Sequence, residues 1–235
     1  MAPRGEEVVI PAGEGFPATP AYAVIPAEAS RGVVVIHEIF GRQPEIDRVV
    51  ERFANRGYAA VAPELFRAPS LASCVVRTFH AVRTGTGPVV AQASAVRRWL
   101  CGRAELEEKC VGIIGFCFGG GFALAVGRGW GAVSTNYGGV PTNPDVLRGM
   151  GPTIGCYGGR DRAMGHAGGT LEQRLRAVGV EVEAHTFPEV GHSFLTDGDH
   201  PIAAALTRPV LHIDYRPEVA ERAWELIFAF FDRHL

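Results

Sequence analysis

Val111-Gly-Ile-Ile-Gly-Phe-Cys-Phe-Gly-Gly-Gly-Phe-Ala-Leu-Ala-Val126 joins two apolar runs through a glycine-rich turn that carries a single cysteine. The first run reads as a buried strand, the second as a helix, and Cys117 sits at the sharp turn between them. Gly115 and Gly119 flank it where strand and helix approach so closely that a Cβ would collide. The free N–H groups at the start of the helix point back at the turn, so the field there favours a thiolate, and an oxyanion on a bound carbonyl. A strand-turn-helix of this kind is a nucleophile elbow with Cys in place of Ser. Read alone, the turn fits a small buried cysteine with a packing role equally well. A dinucleotide loop fits poorly. Gly115-x-Cys117 breaks Gly-x-Gly-x-x-Gly at its second glycine, and Val133 to Gly139 offers no carboxylate for a ribose.

Upstream, Val33-Val-Val-Ile36 is a continuous β-branched run, the mark of a strand covered on both faces. Pro44 followed by Ile46, Val49, Val50 and Phe53 at helical spacing predicts an amphipathic helix that Gly57 stops. Tyr58 to Ala62 returns as a strand, and Pro88 to Cys101 is a second helix, with Val89, Ala93, Val96 and Leu100 on one face, feeding the Cys117 strand. This alternation predicts a parallel sheet with right-handed crossovers. Val8 to Ile10 and Ala21 to Ile25 suggest an antiparallel hairpin at its edge. Downstream, Ala132 to Tyr137, Thr153 to Tyr157 and Val180 to Phe187 read as strands. Leu171, Leu175 and Val178 mark a helix stopped by Gly179. Pro217 to His234 is an amphipathic helix with Val219, Ala223, Ile227 and either Phe230 or Phe231 turned inward. Between Arg67 and Gly87 a loop is expected, with a short helix near Ala72 to Val82, and Pro201 to Pro209 reads as a cover over a pocket. With no repeats or linker-like stretches, residues 1–235 are expected to form one α/β domain.

Composition narrows the function. A formal charge of -2, with 47% apolar and 20% charged residues, gives no electrostatic reason to expect a nucleic acid or an anionic membrane as partner. Met1-Ala-Pro-Arg-Gly-Glu-Glu lacks a secretory apolar segment and no run is long enough to span a bilayer, so a cytoplasmic location is expected. Cys74, Cys101, Cys110, Cys117 and Cys156 are odd in number and form no Cys-x-x-Cys, which points to reduced thiols. His166, His185, His200 and His212 match no metal spacing with His192, so no metal is expected. Trp99, Trp130 and Trp224 read as core.

Working residues of an open parallel sheet gather on loops at the C-terminal strand ends. The strand ending at Tyr157 runs into Gly158-Gly159-Arg160-Asp161, and the strand ending at Phe187 into Glu189-Val190-Gly191-His192-Ser193-Phe194. Nucleophile, acid and base therefore follow one another in chain order, each just past a strand. His192 can take the thiol proton and later protonate a leaving group, while Asp161 fixes its tautomer. Separately, Asp161 could cap a helix or pair with Arg160, and His192 could be solvated. Their conjunction with Cys117 is what argues for a triad.

With His37-Glu38-Ile39-Phe40-Gly41 after the Val33 strand, four motifs stand in order, and the chain resembles the dienelactone hydrolase family of the α/β-hydrolase superfamily. The resemblance implies an α/β-hydrolase fold, a mostly parallel central sheet with helices on both faces. It also implies that Glu38 is an extra carboxylate near the thiol that helps to activate it when substrate enters. An oxyanion hole would come from the backbone N–H groups of Ile39 and Phe118. The implied reaction is attack by Cys117 on a small ester or lactone (carboxymethylenebutenolidase-type chemistry), a thioester acyl-enzyme, and hydrolysis by water activated by His192. No metal or organic cofactor is required. One position departs from the pattern. Family members that cleave dienelactone hold the substrate carboxylate with arginines, one of them four residues after the histidine, where this chain has Thr196. A second arginine would come from the segment holding Arg67, Arg77 and Arg83. Losing one charge-assisted partner weakens the case for a carboxylate-bearing lactone. A broader carboxylesterase or thioesterase is thus one alternative, and a non-catalytic ligand-binding or thiol-sensing protein on the same fold is another. The sequence gives no oligomeric state.

Overall fold

A computed structural model of the protein describes residues 4–65, 80–81, 83–197 and 215–235. Strands β1 (Glu6–Ile10), β2 (Thr19–Val24), β3 (Gly32–Ile36), β4 (Ala59–Pro63), β5 (Val111–Phe116), β6 (Val133–Asn136), β7 (Thr153–Gly158) and β8 (Val182–Phe187) form one sheet. Their order is β1-β2-β4-β3-β5-β6-β7-β8. The β1/β2 and β2/β4 pairs are antiparallel and every other pair is parallel, so the expected hairpin does lie at the edge.

All residues of β3, β5, β6 and β7 are buried, as their apolar runs require of strands covered on both faces. Alternate residues feed two separate cores. Val34 and Ile36 join one core with α2 (Pro88–Ala104), α3 (Phe118–Val126) and α5 (Ala167–Ala177). Val33 and Val35 join the other with α1 (Pro44–Ala54) and α6 (Pro217–His234). Helices therefore cover both faces of a mostly parallel sheet, which is the α/β-hydrolase architecture.

Helix α1 begins on Pro44, has Glu45 and Asp47 in its first turn and Arg52 in its last, and so complements its own dipole at both ends. Its apolar stripe ends on Phe53, whose ring meets Tyr58, Trp224 and Phe228 edge-on at centroid distances of 5.4, 6.1 and 5.0 Å. Both Phe230 and Phe231 of α6 are buried, so the sequence alternative between them resolves to the pair.

Several expectations change. Helix α2 continues to Ala104, where Glu105 in the left-handed region (φ 54°) closes it by donating its N–H to Cys101 O. Helix α5 ends at Ala177, before Val178, and β8 begins at Val182 rather than Val180. The four-residue helix α4 (Pro144–Leu147) had not been expected; Asn143 caps it, its Oδ1 accepting from the Asp145 N–H at 3.0 Å. Trp99 is only partly buried, with the Arg103 guanidinium 5.7 Å from its ring centre, whereas Trp130 and Trp224 are core as expected. Residues 80 and 81 are helical as expected, and 83 and 84 are helical past the expected end at Val82. The remainder of that expected helix, the cover at Pro201 to Pro209, and Arg67, Arg77, Cys74, His200 and His212 lie outside the described residues. Among the described residues no helix is long and apolar enough to cross a membrane.

Because Phe53 is fully buried at the centre of the α1/α6 aromatic cluster, Phe53→Ala is expected to lower unfolding stability by about 3–5 kcal/mol. Urea denaturation reads this directly, and a loss below about 1 kcal/mol would mean that the cluster is not a keystone of that face.

Candidate active site

Cys117 stands between β5 and α3 with φ 53° and ψ -115°, in a conformation that side chains other than glycine rarely adopt. The turn is held from several sides. Cys117 N–H donates to Asn136 O on β6 at 2.9 Å, its own carbonyl accepts from Gly120 N–H at 3.0 Å, and Asn136 Nδ2 donates to Gly115 O at 3.1 Å. A Cβ on Gly115 would overlap the Gly119 carbonyl, and one on Gly119 would lie 2.7 Å from Ile36 O. Glycine at both positions is thus a steric requirement, as the sequence suggested. The cysteine is half-buried.

Asp161 and His192 leave the neighbouring strands β7 and β8. Ladder-like bonds continue past the strands, from Gly159 N–H to Phe187 O at 2.8 Å and from Arg160 N–H to Val190 O at 2.9 Å. A Cβ on Gly158 would lie 2.7 Å from Val190 O, so the two loops close on each other only over a glycine. The result is a buried pair in which His192 Nδ1 donates to Asp161 Oδ2 at 2.6 Å. A carboxylate only accepts, so this bond puts a proton on Nδ1 and leaves Nε2 on the far side of the ring from Asp161. The other carboxylate oxygen accepts from Ala163 N–H at 2.9 Å and Met164 N–H at 3.1 Å, which fixes the carboxylate plane. Burial opposes charging of the ring, but the bond to Asp161 and the adjacent Cys117 sulfur outweigh it, raising the imidazole from 6.5 to about 10. Nε2 is buried and no atom of the described residues stands in aligned hydrogen-bond geometry to it, so the sulfur acts as a close neighbour rather than as a formed bond.

Glu38 and Ile39 lie in the loop that leaves β3. Glu38 Oε1 accepts from Ser193 Oγ at 3.1 Å, which places this carboxylate beside the residue that follows His192. Ser193 itself is left-handed (φ 55°). His37, quoted in the motif but assigned no task, is fully buried with Nδ1 2.6 Å from Glu38 O and Nε2 3.2 Å from Leu65 O. It pins the Glu38–Ile39 loop to the end of β4. Burial, the largest influence on it, holds its pKa below the ordinary value.

Tyr137 was also missed as a site residue. It is left-handed (φ 44°), its ring packs 4.9 Å from that of His192, and burial raises its hydroxyl well above 10. Only its place at the end of β6 could have drawn attention to it. Thr196, where the pattern would have arginine, is buried beside the Tyr137 hydroxyl.

A cavity of about 640 Å³ opens onto Cys117 and His192, and Ile39 and Phe118 also line it. Its wall is largely apolar, with Val140, Pro141 and Met164, and Arg83 brings a charged side chain to it among the described residues. The Ile39 N–H makes no hydrogen bond among the described residues. Among the described residues no cluster of three or more His, Cys, Asp or Glu could hold a metal ion.

Residues 19–235 match the sequence profile of the dienelactone hydrolase family. The chain belongs to the dienelactone hydrolase family. It is therefore a dienelactone hydrolase-like hydrolase on an α/β-hydrolase fold. A carboxymethylenebutenolidase of Rhodococcus opacus is 28% identical, over 86% of this chain and 81% of its own length. Among solved structures, a dienelactone hydrolase of Anabaena variabilis is 22% identical and covers 100% of both chains at a TM-score of 0.69. A dienelactone hydrolase-like promiscuous phosphotriesterase from metagenomic libraries is 22% identical and covers 100% of this chain and 99% of its own at a TM-score of 0.79. At these identities the two structures establish the fold.

The raised imidazole has a thermodynamic consequence. Since the folded value near 10 exceeds the unfolded 6.5, the pair contributes stability that is complete below pH 6.5 and is lost as pH rises through about 10. Asp161→Asn should therefore cost about 1–3 kcal/mol at pH 6, with the gap to wild type narrowing toward pH 10. Chemical denaturation at both pH values reads this, and a gap that stays constant would refute the linkage.

Proposed function

We propose that this hydrolase cleaves small esters or lactones by nucleophilic catalysis from Cys117, with His192 as base and acid and Asp161 as the orienting carboxylate. The observation that carries the reading is the buried 2.6 Å bond from His192 Nδ1 to Asp161 Oδ2, which leaves Nε2 as the nitrogen that faces the thiol. In the first half-reaction the sulfur bonds to the carbonyl carbon as thiolate while its proton is held on Nε2. The oxygen that gains charge lies between the backbone N–H groups of Ile39 and Phe118, worth about 10²–10³ in rate per donor at such sites. Collapse releases an alkoxide, which takes the proton from His192 and leaves a thioester. Water, deprotonated by His192, then attacks the thioester; the acid departs and the thiol is restored. Glu38, held beside the pair by Ser193, assists ionisation of the thiol once substrate fills the cavity.

The substrate range follows from the walls. Arg83 can meet one substrate carboxylate, while Thr196 supplies no second cation and the remaining wall is largely apolar. These features favour a broader carboxylesterase, without strict preference for a carboxylate-bearing lactone, as the second reading.

Cys117→Ala and His192→Ala are each expected to lower kcat/KM for activated esters and lactones by about 10⁴-fold or more. Intact-protein mass spectrometry of wild type during turnover should show an acyl adduct on Cys117. Undiminished turnover by Cys117→Ala would overturn the mechanism. Arg83→Gln should raise KM only for substrates that carry a carboxylate; equal KM values for charged and uncharged esters in wild type would select the broader reading.

A further inference from the structure

A second cavity, of about 520 Å³, lies toward the C-terminal end of α3 and, among the described residues, shares no lining residue with the first. Its back wall is built around Arg97, which is nearly fully buried. That guanidinium is already committed. It donates to Glu108 O and, at 2.9 Å, to Gly129 O, pairs with Glu108 Oε2 at 3.3 Å, and lies 4.8 Å from the centre of the Trp130 ring.

Two further arginines line the same cavity without any carboxylate partner. Arg98 makes no hydrogen bond or ion pair among the described residues. Arg128 donates Nη2 to the backbone carbonyl of Asp145 at 2.7 Å and has no ion pair among the described residues. Neither acid at this cavity pairs with them, because Glu108 is paired with Arg97 and Asp145 with Arg148 at 3.1 Å. Two guanidinium groups without an ion-pair partner among the described residues thus line one cavity in a chain whose overall charge is -2. Between them the walls are apolar, from Val90, Val126 and Val146.

Gathering like charges at a cavity is unfavourable unless an anion joins them, and guanidinium groups match a carboxylate through paired N–H donors. The volume exceeds what an inorganic ion needs and lies in the range of small-molecule sites. We propose that this cavity is a second ligand site, taking a small organic carboxylate whose charge meets Arg98 and Arg128 and whose apolar body lies against Val90, Val126 and Val146. The site stands whether or not Cys117 is the nucleophile, since no described residue is common to the two cavities.

Isothermal titration of the full chain with 2-naphthoate, and with 2-naphthalenemethanol as the uncharged counterpart, tests the proposal. Saturable binding of the carboxylate is expected, at least tenfold tighter than that of the alcohol. Binding should weaken at least tenfold in Arg98→Gln/Arg128→Gln and stay within twofold of wild type in Arg83→Gln, which alters only the first cavity. Arg98→Gln alone removes a side chain with no partner, so it leaves the melting temperature in place and should still weaken binding about threefold or more. Unchanged affinity in the double variant, loss of binding in Arg83→Gln, or displacement of 2-naphthoate by equimolar inorganic phosphate would overturn the assignment.

Discussion

Backbone packed on backbone around Cys117 is the constraint on which the rest of the site depends. Strand β5 and helix α3 meet with no side chain between Gly115 and Gly119, and Gly119 in turn lies against the carbonyl end of β3. Any Cβ in either place would push α3 outward and carry the Phe118 N–H away from the Ile39 loop. The close approach also forces Cys117 into its left-handed turn, which lifts its side chain from the sheet toward the cavity. A central parallel strand with both faces covered is rigid enough to sustain such strain.

A second closure, over Gly158, joins the exits of β7 and β8 and makes the Asp161–His192 bond a property of sheet register rather than of loop flexibility. Tyr137 buttresses the imidazole from β6, and Phe194 packs 5.9 Å from Tyr137 and so connects the loop to the α1/α6 core. Three strand ends, those of β5, β7 and β8, thus supply thiol, carboxylate and imidazole, while β3 supplies Glu38 and Ile39. Each is positioned by backbone contacts that begin inside the sheet.

Much of this was legible in the chain because its signals are local. The Val33 and Val111 runs announce buried strands, Pro217 to His234 gives the bounds of α6, and glycine at 115 and 119 marks a close approach. What escaped reading depends on partners distant in sequence. Nothing local marks His37 as the pin between two strand ends, Tyr137 as the neighbour of His192, or Ser193 as the donor to Glu38. Nothing local marks Arg97 as buried either, and the Trp130 ring, two backbone carbonyls and the Glu108 carboxylate together make its burial tolerable. Helix α4 was missed although Asn143-Pro144 is a proper start, because four residues are too few for periodicity to register.

Cys117 and Tyr137 at the cavity, and Ser193 next to its lining residue His192, all hold left-handed backbones, and each such position costs about 1–3 kcal/mol. Glycine relaxes such a conformation, yet it would delete the sulfur, the aromatic buttress or the hydroxyl in turn. Breeding this hydrolase for heat resistance would therefore pull against the proposed site at these three points. Durable gains should come from the far ends of the helices and the sheet edge, where hardening the scaffold leaves the tension at the cavity intact.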